Sequence, residues 1–159
     1  MFAPVETAEL IAIKKGLLTT TVDRLEQSLQ QLEQAMSDLK TSAGEETKSS
    51  AGDKYETGRA MIHLELEKLS SQMNEHLKAL AFLRSQNVER FSESIQTGAL
   101  AETSFGNYFF LVNGGEVKLK DISYRVISLA SPLGKALRGH TQNQEIQFNN
   151  RTISILKVY

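Results

Sequence analysis

A chain of 159 residues, 40% hydrophobic and 23% charged, has room for one ordinary domain or two small units, and its composition is that of a globular protein. The absence of cysteine excludes disulfides, thiolate zinc sites and every mechanism with a Cys nucleophile. The formal net charge of −1 is unevenly spread: residues 1–90 hold 14 acids and 11 bases, residues 91–159 hold 5 acids and 7 bases, a basic surplus too small for a dedicated duplex-DNA binder.

No apolar stretch is long enough to span a membrane, and residues 1–16 lack a clean signal-peptide core, so a cytoplasmic location is expected. From Leu18 the apolar residues recur as Leu18, Val22, Leu25, Leu29, Leu32, Met36 and Leu39. This alternation of four and three is a heptad seam on one long helix, with Thr21 and Asp23 as capping candidates near its start. A second seam runs through Tyr55, Ile62, Leu66, Leu69, Met73, either His76 or Leu77, then Leu80 and Leu83, and predicts a second helix of similar length.

Between the seams, residues 40–54 contain glycines, serines and threonines but no large apolar side chain below Tyr55, so the chain is expected to turn there. Two helices with matching seams bury them by folding back on each other. Arms of roughly 25 residues at ~1.5 Å each would carry the turn about 35 to 40 Å out. Glu45, Glu46, Asp53 and Glu56 make that tip acidic. On composition alone they read as a solvated connector, with Asp53 and Glu56 also suited to the dipole at the start of the second helix.

The second half predicts a compact α+β domain. Residues 105–112 are aromatic and branched enough for a strand, and Asn113, Gly114 and Gly115 signal a hairpin turn into a strand over 116–120. Another strand is expected over 124–129. Ser131 as N-cap, Pro132 at the first helical position and Gly139 past the end delimit a short helix. Strands over 144–148 and 151–158 flank Asn149 and Asn150, which tolerate the positive φ of a two-residue hairpin. No catalytic constellation emerges: His140 reads as a surface residue, His63 and Glu67 as a contact one helical turn apart, and no phosphate-binding glycine loop is present.

The segment 127–139, with Ser131, Pro132, Leu133, Ala136, Leu137 and Gly139, followed by 144–148 and 151–156, resembles the C-terminal domain of the GreA/GreB family of bacterial transcription elongation factors. Residues 95–100 look like that domain's opening strand, and residues 44–48 with the helix after them are similar to the tip and second arm of the family's N-terminal hairpin. The resemblance covers nearly the whole chain in order. It divides the chain into an antiparallel coiled-coil hairpin over 1–90, with its tip at about 41–54, and an FKBP-like domain over 91–159, an α+β fold.

That resemblance implies docking of the C-terminal domain at the rim of the secondary channel of RNA polymerase, with the coiled coil inserted toward the active centre. Prolyl isomerase activity does not follow, and the protein would be no enzyme of its own. In family members that promote transcript cleavage, two tip acids help hold a magnesium ion shared with the polymerase, in keeping with the few carboxylates that cation takes from a protein. Aligned on Lys48 and Ala51, Glu46 occupies the first acid position and Ser49 the second, with Glu45 and Asp53 as nearby substitutes. Contact with nascent RNA would be indirect. Lys135 and Arg138 are candidates for docking, although a solvated helix face is the favoured reading of them. Three functions stay open: a stimulator of transcript cleavage, a channel occupant without cleavage, and a coiled-coil scaffold unrelated to transcription. The oligomeric state is open too, since such a seam can pair within or between chains.

Overall fold

The computed structural model describes residues 4–46 and 53–159, with side chains described over 6–44 and 56–159. The architecture is α+β: a long helix α1 (Pro4–Glu46), a second helix α2 (Asp53–Arg84), and a six-stranded sheet of β1 (Leu100–Thr103), β2 (Gly106–Leu111), β3 (Gly115–Leu119), β4 (Ile122–Ser128), β5 (Glu145–Phe148) and β6 (Arg151–Val158), with a short helix α3 (Pro132–Leu137) before β5. It forms two compact units, Met1–Val22 with Leu83–Tyr159, and Asp23–Phe82.

In the first unit the strand order is β3-β4-β2-β1-β6-β5. One face carries the cluster Ile95, Ala101, Tyr108, Phe110, Leu137, Ile146, Ile153, Ile155 and Val158, with Leu133 and Phe148 packed against it. Phe109, Leu111, Val117, Tyr124 and Val126, the alternate residues, are also buried, so the central strands bury both faces. The start of α1 covers the second face. Its buried residues Leu10, Lys14, Leu17 and Thr21 recur every three to four positions and make one stripe.

That stripe corrects two expectations. The helix begins at Pro4, well before the seam predicted from Leu18, because its first five turns pack on the sheet through a different face. Thr21 is no cap: it lies inside α1 and its hydroxyl donates to the Leu17 carbonyl at 2.7 Å. The predicted opening strand over 95–100 is also displaced. Residues up to Ala99 form a turn with Gly98 at φ 82°, and Gly98 N donates to the Phe110 carbonyl at 2.7 Å, so β1 starts only at Leu100.

The expected hairpin at residues 113–115 does not form. β2 pairs with β4 in parallel, and β3 pairs with β4 on its far side. Asn113 and Gly114 instead tie the crossover to β4: Asn113 Oδ1 accepts from Ser128 N at 3.2 Å, and Gly114 N donates to the Val126 carbonyl at 3.0 Å. A Cβ on Gly114 would lie 2.9 Å from Thr21 Cγ2 and 3.0 Å from Val126, so this glycine serves the close approach of α1 to the sheet. The actual hairpin turn is Lys120 and Asp121, both at positive φ (46° and 65°) between the paired Leu119 and Ile122. The terminal hairpin is as expected, with Asn149 and Asn150 at φ 49° and 59° between the paired Phe148 and Arg151.

In the second unit α1 and α2 meet where Ser28 Oγ and His76 Nε2 lie 3.1 Å apart. Leu29, Leu69 and Leu80 are its buried apolar residues. His76 is half-buried whereas Leu77 is 48% exposed, which decides between them at that seam position. Farther along, Ala43 shares a pocket with Arg59, Ile62, His63 and Leu66, so as α1 advances from Ser28 to Ala43 its neighbours on α2 retreat from His76 toward Arg59. The two helices reach farther into 40–54 than predicted: helix continues to Glu46 and resumes at Asp53.

Candidate functional site

Glu45 and Glu46 are the last two residues of α1, and Asp53 is the first of α2. Their side chains lie outside the described residues, as do Lys48, Ser49 and Ala51 altogether. The backbone alone makes the placement of the acids informative. A helix ends in unsatisfied carbonyls that carry partial negative charge, which cations offset and acids aggravate. The last turn of α1 has no basic residue and ends on two glutamates, an arrangement that costs about 0.3–1 kcal/mol per acid unless a cation or partner stands nearby. Asp53 and the exposed Glu56 open α2, where the dipole favours them. Carboxylates as donors suit a hard divalent cation such as magnesium.

Among the described residues, no group of three or more His, Cys, Asp or Glu side chains is placed to hold a metal. His63 Nε2 and Glu67 Oε1 are 3.5 Å apart on an exposed face of α2, an ordinary contact at that spacing. His140 is partly buried, with Nδ1 3.3 Å from the Leu137 carbonyl that precedes it. Lys135 and Arg138 are both exposed, the first within α3 and the second as its C-cap residue. Their helix is sharply specified: the Ser131 side chain accepts from Gly134 N at 3.0 Å, and a Cβ on Gly134 would fall 2.1 Å from the Ser128 carbonyl oxygen.

Two features of the first unit went unseen in the sequence. Lys14 is fully buried; its Nζ donates to the Arg90 carbonyl at 2.7 Å and sits 5.2 Å from the centre of the Phe91 ring, while burial pushes its ammonium down to about 8. Its one sequence signal is its place in the stripe of Leu10, Leu17 and Thr21. The other is a pocket of about 350 Å³ on the sheet, lined by Phe105, Tyr108, Arg125, Leu133, Phe148, Asn149, Arg151 and Ile153.

No protein-family model matches this chain, and no curated protein matches it in sequence. The class defined by fold and charge placement is therefore an α+β protein with two long helices whose junction is acidic, followed by a six-stranded sheet with one short helix. No described helix is long and apolar enough to cross a membrane.

Proposed function

We propose that the chain is a Gre-like regulator of transcription elongation, binding bacterial RNA polymerase at its secondary channel and presenting the carboxylates at the helix junction to the polymerase's own active centre. The observation that carries this reading is the pair Glu45 and Glu46 closing α1 against its own dipole, with Asp53 opening α2 seven residues after Glu46. Acids at a helix C-terminus are locally unfavourable, and a cation supplied by a partner would offset the cost. The opposed run of neighbours along α1 and α2 supports an antiparallel coiled-coil hairpin, and the sheet with α3 supports an FKBP-like C-terminal domain.

In this reading Glu46, with Glu45 or Asp53, would hold a magnesium ion shared with the polymerase, and that ion would supply charge stabilisation and an activated water for cutting a backtracked transcript. The protein's own residues orient the cation and add no nucleophile. Lys135 and Arg138 are the docking candidates on the globular domain. A cytoplasmic location and only indirect contact with nascent RNA belong to the same proposal.

Stalled elongation complexes of the host polymerase test it through magnesium-dependent RNA cleavage, with polymerase binding measured in parallel. The expected result is stimulation by the wild type and a loss of roughly tenfold or more in Glu46→Ala, the scale of losing a contact that tunes a catalytic cation, with polymerase binding retained. Ser49 at the family's second acid position favours a second reading, a channel occupant without cleavage; binding without stimulation would select it. No polymerase binding would leave a helical scaffold unrelated to transcription.

A further inference from the structure

The pocket lined by Arg125 and Arg151 is built from four strands, the short helix α3 and two turns. Arg125 comes from β4, beside Tyr108 of β2 in the parallel register. Phe148 and Arg151 are the paired residues at the ends of β5 and β6, with Asn149 in the turn between them. Phe105 comes from the turn joining β1 and β2, and Leu133 from α3. The lining holds two guanidinium groups and no carboxylate. Glu116 stands opposite Arg125 in the β3–β4 register but is not part of the lining.

Three details distinguish the pocket from an accidental hollow. Among the described residues neither guanidinium has a hydrogen-bonded or ion-paired partner, although Arg151 is held with its guanidinium carbon 5.8 Å from the centre of the Phe105 ring. Tyr108 is only 3% exposed, and its hydroxyl makes no hydrogen bond to the described residues. No buried side-chain polar atom among them lacks a partner, so that hydroxyl must reach solvent, and the pocket that Tyr108 lines is its outlet. Phe105 leaves 43% of its surface exposed at the same place. A mostly buried phenol and two arginines, all without a polar partner among the described residues, thus converge with two aromatic rings on one small volume.

We propose that this pocket binds a nucleoside monophosphate, with the phosphate between Arg125 and Arg151 and within reach of the Tyr108 hydroxyl, and the base against the Phe105 and Phe148 rings. A guanidinium fork matches phosphate oxygens in pairs, and two forks match a dianion. Aromatic side chains stack on any base face, and an arginine already stacked on a ring is preorganised for its anion. The volume of about 350 Å³ is at the small end for ligand sites and suits one nucleotide. This inference does not depend on the polymerase reading, since every residue in it belongs to the sheet domain.

Calorimetric titration of the full chain with adenosine 5′-monophosphate, adenosine and inorganic phosphate tests it. Binding of the monophosphate with a Kd below about 1 mM is expected, with adenosine and phosphate each at least roughly tenfold weaker. The double variant Arg125→Gln/Arg151→Gln should weaken the monophosphate by about tenfold or more, and Tyr108→Phe, which keeps the buried ring, by about threefold, since each removes a charge-assisted contact. Lys40→Gln/Lys78→Gln, which removes the same charge from exposed helix positions, should bind as the wild type does. No binding of the monophosphate, inorganic phosphate binding as tightly as the nucleotide, equal affinity in the arginine variant, or equal weakening in the lysine variant would each overturn the proposal.

Discussion

Lys14 shows how burial rewrites the chemistry of a residue whose sequence neighbours look ordinary. Its stem fills a place between Leu10 and Leu17 in the stripe against the sheet, and the Arg90 carbonyl is its hydrogen-bond acceptor. Desolvation disfavours the ammonium, so the folded protein releases that proton at about 8 while an unfolded lysine keeps it to 10.5. Between those values the unfolded chain binds the extra proton, so unfolding becomes harder as pH rises. Relative to Lys14→Met, the urea midpoint of the wild type should climb from pH 8 toward 10.5, with a gain of about 2 kcal/mol; parallel curves for the two proteins would show that Lys14 does not titrate in this window. At Gly114 the constraint is steric. A methyl group there meets Thr21 and Val126 at 2.9 and 3.0 Å, so Gly114→Ala should lose about 1–3 kcal/mol by denaturant titration. Gly44 has open space around its Cβ position within α1, so Gly44→Ala should gain about 0.5–1 kcal/mol.

At the level of elements, what the sequence makes legible depends on whether the signal is local. The short helix α3 and the terminal hairpin are written in residues whose preferences act where they stand: Ser131, Pro132 and Gly139 bound the one, and Asn149 and Asn150 turn the other. The β2–β3 connection misleads because Asn113, Gly114 and Gly115 read as a turn while their backbone and side-chain bonds go to β4, a partner that appears only later in the chain. Conversely, Lys120 carries no turn signature and Asp121 by itself only a weak one, yet both adopt the left-handed region, at a cost of roughly 1–2 kcal/mol for Lys120 and less for Asp121. Asp121→Gly removes that strain at φ 65° and gives up only an exposed contact of 3.6 Å with Lys118, worth little. It should therefore stabilise the protein by about 0.5 kcal/mol, read as a higher thermal midpoint; an unchanged or lower midpoint would mean that the ion pair and the added chain entropy of glycine outweigh the strain. The acidic junction is legible as composition, but its opposition to the α1 dipole emerges only once the helix is known to end at Glu46. The arginine pocket is illegible for another reason: Phe105, Arg125 and Arg151 are brought together by strand order alone.

Across the whole molecule, the two units differ in how their helices and strands are held. The first has a sheet whose central strands are buried on both faces, and its pairings join residues far apart in sequence, such as Ala101 with Val158. The second consists of helix whose described buried apolar residues are Leu29, Leu69 and Leu80, and an isolated helix owes most of its stability to such burial. Opening should therefore cost less in the second unit, and least toward the helix junction, where residues 30–44 and 56–68 hold no fully buried side chain. Hydrogen exchange on the intact protein should show the amides of residues 36–44 and 56–64 exchanging at least about tenfold faster than those of β2, β4 and β6, a difference of ~1.4 kcal/mol or more in opening free energy. Equal protection of those helical stretches and the strands would mean that the heptad seam is covered more fully than one chain's two helices achieve. Sedimentation of the same sample would then report a dimer, with the seam closed between chains.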